Sequence, residues 1–273
     1  MVRIHFYFSP HGSAQDIRGI EKWLRRADIY VPELFGWTDW DLRILQSVSN
    51  GTRKPVCEGM KVAEMSSPAQ YQATLLYGTK KRTFFADVPA AQGDWYSRLV
   101  QRADREMQSA RRAFVEGRYE DAIGWVRSSL SAAFRENQRR EEWMEDRIVT
   151  AVTTITRREP LRSKANVLVL VRLGQAHTGV YERVRETFSG TVTMTETSAN
   201  HFFVARALSD AGALDDPDYL ARVLAEDLVV FANDDLLPRL SSTEKILRVT
   251  ERAKKFSART LPRFADRLEA FVL

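Results

Sequence analysis

The stretch NVLVLVRLGQAHTGVYERVRE, residues 166–186, decides the fold class. Residues 166–171 are a continuous apolar run, the pattern of a strand buried on both faces of a parallel sheet. The run is far too short to span a bilayer. The segment GQAHTG, residues 174–179, then turns the chain. Val180, Val184 and Phe188 follow at helical spacing. His177 falls at the junction. Strand, turn and helix in this order are the first half of a βαβ unit.

The N-terminus repeats this grammar. VRIHFYF, residues 2–8, is β-branched and aromatic and reads as a first strand. Pro10, His11 and Gly12 break it, and Ser13 with Asp16 forms a capping-box-like helix start. Ile17, Ile20, Leu24 and Ala27 line one helix face. Residues 28–33 (DIYVPE) make a second strand, with Pro32 tolerated near its end. A third strand is predicted over residues 82–88 and a fifth, edge-like one over 191–195. Trp37, Leu42 and Leu45 suggest a short helix after Gly36, and a helix is predicted over 68–77.

These elements predict an α/β fold: a mostly parallel sheet of about five strands with helices on both faces. Residues 94–163 interrupt it as a long helical insertion. One helix runs to Val115, a break falls at Gly117, and a further helix or helix pair follows. Residues 197–273 read as C-terminal helices, expected to pack on the core. The expected organisation is therefore a core of 1–93 and 164–196, an insertion of 94–163, and a C-terminal region of 197–273.

The bulk composition excludes several classes. The chain has 273 residues and a formal charge of +5. Arginine exceeds lysine, yet the arginines alternate with acids, as in RADREMQSARR and ENQRREEWMEDR. Such mixed patterning reads as solvated helix faces rather than a nucleic-acid surface. The single cysteine, Cys57, excludes an internal disulfide and fits a reducing, cytoplasmic compartment. No secretory signal pattern and no transmembrane run are present.

His11 and His177 each follow a predicted strand and precede a predicted helix. Ligand crevices of parallel sheets lie at the carboxyl ends of the strands, so the two turns can converge. Glu33 and Asp87 end strands two and three at comparable positions. His11, Glu33, Asp87 and His177 could hold a divalent ion with an open position for water, or act as a metal-free acid/base site. Arg140, on the insertion, could clamp a substrate carboxylate or stabilise an oxyanion. It could equally pair with Glu136, Glu141 or Glu145 at the surface. Trp37 and Tyr71 could line a substrate pocket or serve in core packing.

The blocks FSPHGSAQDIRGIEKWLRRADIYVPEL and VLVLVRLGQAHTG resemble the superfamily that groups erythromycin esterases, ChaN haem-binding lipoproteins and the TraB/PrgY and TIKI proteins. That family pairs two Gly-x-x-His turns with a strand ending in glutamate and a Glu-Arg-x-x-x-Met helix. His11, Glu33, Gly174, His177 and Gly179 match, as do Arg140 and Met144. Phe8 stands in place of the first glycine, and Arg139 in place of the helix glutamate. The resemblance implies hydrolysis of an ester or peptide bond of a small-molecule or peptide substrate. His11, Glu33, His177 and Arg140 would be the catalytic set, and Trp37, Asp87 and Tyr71, from their own chemistry, the substrate-binding residues beside it. It also implies a divalent metal (Mn, Co or Zn) on His11, Glu33 and His177, with Glu64 or Glu58 as a further ligand. The family's haem binders leave a second expectation open: a non-catalytic small-ligand, haem or interaction module. A homodimer is compatible with either.

Overall fold

A computed structural model of the chain describes residues 1–9, 14–55, 73–92, 94–158, 161–196, 211–232 and 251–265. Five strands form one parallel sheet in the order β3-β2-β4-β1-β5. They are β1 (Val2–Ser9), β2 (Ile29–Pro32), β3 (Arg82–Thr83), β4 (Val167–Gly174) and β5 (Thr191–Glu196). The helices are α1 (Ala14–Arg26), α2 (Asp39–Asn50), α3 (Asp94–Val115), α4 (Tyr119–Thr156), α5 (Thr178–Thr187), α6 (Pro217–Ala232) and α7 (Leu261–Ala265). The α/β class and the all-parallel sheet are those expected from the strand–turn–helix pattern.

The residues group into two compact units. One comprises residues 1–94 and 139–198, the other 95–138 and 199–273. The sequence pattern predicts divisions at 93, 163 and 196. Here the boundary at 138/139 falls inside α4, a single helix of 38 residues rather than a pair. Its second half groups with the sheet.

Alternation of side chains across the pleat builds two cores in the sheet unit. Ile4, Phe6 and Phe8 of β1 lie with Val167, Val169, Val171 and Leu173 of β4 on one face, against Met144, Ile148 and Val152 of α4 and Val180 and Val184 of α5. Tyr7, Tyr30 and Leu170 lie on the other, against Ile20 and Leu24 of α1. Both faces of the central strands are therefore dry, which is why β4 reads as a continuous apolar run. The second unit has its own core, in which Ala110 and Phe114 of α3, Val126 and Leu130 of α4, and Leu220 and Leu224 of α6 come together.

Two strands depart furthest from their predicted bounds. β4 extends past Val171 because β1 and β2 offer partners further on: Arg172 sits opposite Tyr7 and Pro32, and Gly174 opposite Ser9. β3 is only two residues, against the predicted 82–88. Its partner β2 ends at Pro32, which has no N–H to continue a ladder. Beyond Thr83 the chain stays buried through Val88 and is held by an isolated bridge between Trp37 and Pro89. The predicted helix over 68–77 is described only at 73–77, where 73–76 are helical and Tyr77 is in a turn.

Candidate functional site

The strand order places the site. β1 connects through α1 to β2 on one side of β4, and β4 connects through α5 to β5 on the other side of β1. Adjacent strands whose following connections run in opposite directions open a crevice between their carboxyl ends. β1 and β4 are that pair here, with Ser9 opposite Gly174 at the rim. Gln175–His177 forms a short 3-10 turn directly after β4, and His177 is the N-cap of α5.

Glu33 is the hub of the site. It follows Pro32, the last residue of β2, and its N–H donates to the Arg172 carbonyl at 3.0 Å. Its carboxylate Oε2 accepts from the Gly174 N–H at 2.5 Å. Its Oε1 accepts from Arg140 Nη2 at 3.0 Å and lies 3.3 Å from His177 Nε2. The glutamate thus meets the end of β4, the first turn after it, and a covering helix.

Arg140 projects from the second half of α4. Its Nε donates to Asp87 Oδ1 at 2.7 Å, and its Nη2 also donates to Asp87 Oδ2. This forked geometry suits a planar guanidinium facing a carboxylate. The guanidinium carbon stands 5.2 Å from the centre of the Phe35 ring. Arg140 is 7% exposed and Asp87 0%, so the pair is buried rather than on the surface. Asp87 is further fixed by the Val88 N–H at 2.8 Å.

Trp37 has a clear place. It is buried, and its Nε1 donates to the Asp87 carbonyl at 2.6 Å. Phe85 lies at 5.7 Å between ring centres, and the Arg147 guanidinium at 4.6 Å. Arg147 also donates through Nε to the Phe85 carbonyl at 2.8 Å, and burial lowers its pKa from the ordinary value. The indole therefore braces the Asp87 backbone from within the core. Of the residues singled out from the sequence, Glu33, Asp87, Arg140 and His177 come together, with Trp37 behind them. His11, Glu58, Glu64 and Tyr71 lie outside the described residues.

Two further groups are buried: Arg172, which the sequence pattern does not single out, and Glu141, which it places at the surface. Arg172 interrupts the apolar run of β4 and is 5% exposed. A charged residue inside VLVLVRLG was the available signal. Glu141 follows Arg140 and is also 5% exposed. A Cβ added to Gly179 would lie 2.2 Å from Glu141 Oε2. Gly179 is therefore needed for the close approach of this carboxylate to the first turn of α5, where the helix end favours negative charge.

Glu33, Asp87 and Arg140 sum to one negative charge. A net negative charge beside an imidazole is the arrangement in which a carboxylate orients a histidine ring. Nε2 is the nitrogen turned to Glu33. His177 Nδ1 is buried and has no hydrogen-bond partner among the described residues. A divalent ion fits the described residues poorly. No group of three metal-ligating side chains occurs among them, and the Arg140 guanidinium already stands against Glu33.

Comparison with known proteins gave no match. No family model matches the chain, and no curated protein or solved structure matches it either. No helix among the described residues is long and apolar enough to cross a membrane.

Proposed function

We propose that the chain is a hydrolase of the erythromycin esterase/ChaN/TraB type, cleaving an ester or peptide bond with a Glu33–His177 dyad. The observation that carries this reading is the 3.3 Å approach of His177 Nε2 to Glu33 Oε1 at the sheet's switch point, with Nδ1 left unsatisfied. Catalytic contacts commonly tighten when substrate binds. In the reaction, Nδ1 accepts a proton from water, and the water oxygen attacks the substrate carbonyl. The imidazolium then returns the proton to the leaving oxygen or nitrogen. Glu33 orients the ring and balances its charge. Arg140 and Asp87 hold Glu33, so Arg140 acts as a positioning residue rather than by gripping the substrate.

The test is a panel of ester and peptide substrates run on the native chain, His177→Ala and Glu33→Gln. The native chain should turn over at least one substrate. His177→Ala should lose about 10²–10⁴-fold in kcat/KM while keeping its far-UV circular dichroism. Equal activity in native and variant proteins, or none in the native chain, would sink the reading. A metal-assisted form would draw its further ligands from His11 and Glu64. Metal analysis of the purified chain against His11→Ala tests it.

One observation favours a second reading. Glu33 and Asp87 both pair with the buried Arg140, as in a purely structural clamp. The same fold would then serve as a small-ligand, haem or interaction module without turnover. A Soret shift on haem titration would support the haem form, and its absence would remove it.

A further inference from the structure

A second polar feature lies on the α1 face of the sheet, toward the amino-terminal half of the strands. A cavity of about 560 Å³ is lined by Arg3 and His5 of β1, Trp23 and Arg26 of α1, and Thr191 and Thr193 of β5, among others. Its most unusual member is His5, a polar residue in the middle of a core strand and only 2% exposed. Nδ1 of His5 makes a 2.8 Å hydrogen bond with Thr193 Oγ1, and Trp23 stacks on the ring with centres 3.4 Å apart. The ring is thus held on one edge and one face. Its Nε2 is buried with no hydrogen-bond partner among the described residues. Buried polar atoms are rarely left unsatisfied, because the desolvation cost is then uncompensated. Burial lowers the His5 pKa to about 4, so the ring is neutral near pH 7, with one nitrogen a donor and the other an acceptor.

The charges at the rim differ from those at Glu33. Arg3 and Arg26 supply two guanidinium groups. The one carboxylate lining the cavity, Asp28, is already engaged: its Oδ1 accepts from Lys164 Nζ at 2.6 Å and its Oδ2 from the Leu168 N–H at 3.0 Å. The cavity therefore offers cationic charge at its edge and hydroxyl and imidazole groups within.

We propose that this cavity is a binding site for a small anion, phosphate or carboxylate in its charged part, held by Arg3 and Arg26 beside the His5 ring. The site is independent of the Glu33–His177 dyad and needs no turnover there. The experiment uses the full chain labelled with ¹⁵N-histidine, which carries four imidazoles. The His5 signals are assigned by their loss in His5→Asn. Inorganic phosphate and citrate are titrated separately at constant ionic strength, with sodium chloride as the control. The expected result is a saturable shift of His5 Nε2 with one or both anions, and a midpoint weakened about tenfold or more in Arg3→Gln/Arg26→Gln. A response to phosphate alone assigns a phosphate ligand, and one to citrate alone a carboxylate. No saturable shift, a shift reproduced by chloride, or an unchanged midpoint in the arginine variant overturns the proposal. Should His5→Asn not fold, the same anions must raise the Tm of the native chain and not that of the double arginine variant, both of whose substitutions are at exposed residues. Equal increases overturn the proposal.

Discussion

Asp87 and Arg140 are 53 residues apart in sequence, yet each is the other's main electrostatic partner. Removing one member of a buried pair leaves the other charged and desolvated. Asp87→Ala should therefore cost about 3–5 kcal/mol of stability in urea unfolding. Glu33→Gln keeps the shape of the hub and leaves the Arg140–Asp87 fork intact, so it should cost less than Asp87→Ala. A Glu33→Gln penalty as large as that of Asp87→Ala would mean that Glu33, not Asp87, is the anchor. His5 makes a different prediction. Its folded pKa of about 4 lies below the ordinary value of 6.5. Between these values the unfolded chain binds a proton that the folded chain does not. The stability it contributes is full above pH 6.5 and falls as the pH drops toward 4. The loss is on the order of 2 kcal/mol. His5→Asn should flatten this part of the stability–pH curve. An identical slope in the variant would show that the buried neutral imidazole is not its source.

At the scale of elements, α5 and the second half of α4 meet where Gly179 faces Glu141. Gly179→Ala puts a methyl group into the Glu141 carboxylate and should cost about 1–3 kcal/mol, as overpacking does, despite the gain in helix propensity. Pairing it with Glu141→Ala should recover most of that, a coupling of about 1 kcal/mol or more in a double-mutant cycle. Additive penalties would place the strain elsewhere. This contact also shows what could be read in advance. The GQAHTG turn and the strand before it were legible because apolar runs and glycine turns are local signals. The start of α2 was legible in kind only. The short helix was expected, but its capping box, in which Thr38 Oγ1 accepts from the Asp41 N–H and Asp41 accepts from the Thr38 N–H, was not singled out. The mixed-sign helix faces were legible too, and i,i+4 pairs such as Arg25–Glu21 and Arg102–Glu106 occur on them. The early end of β3 was not legible, since it depends on where its neighbour runs out of donors. Trp37 could not be assigned to pocket or core from composition alone. The pairing of Arg140 with strand-end carboxylates depends on how α4 crosses the sheet, which no local pattern encodes.

At the scale of the whole molecule, each of the two units has its own apolar packing, and α4 contributes residues to both. α4 is about 57 Å long at 1.5 Å per residue, and its residues are divided between the cores. Val169 and Leu220 lie in different clusters and are both fully buried. Val169→Ala should cost about 1–3 kcal/mol and Leu220→Ala about 2–5 kcal/mol. Independent cores would make the double variant additive within about 0.5 kcal/mol. A larger deviation in calorimetry or urea unfolding would show that the shared helix couples the cores.

The parallel register of the sheet also has a consequence during synthesis. Val2 of β1 is opposite Val167 of β4, and Arg3 is opposite Thr191 of β5. Both neighbours of the most apolar early strand are thus made more than 160 residues after it. At about 5–20 residues per second, the ribosome leaves β1 without either partner for roughly 8–35 s. Through that interval the nascent chain carries VRIHFYF as an unpaired, aggregation-prone segment. Nascent chains stalled before residue 174 should therefore stay protease-sensitive and bind chaperones. Those extended far enough for residue 196 to clear the exit tunnel should become protected in one step.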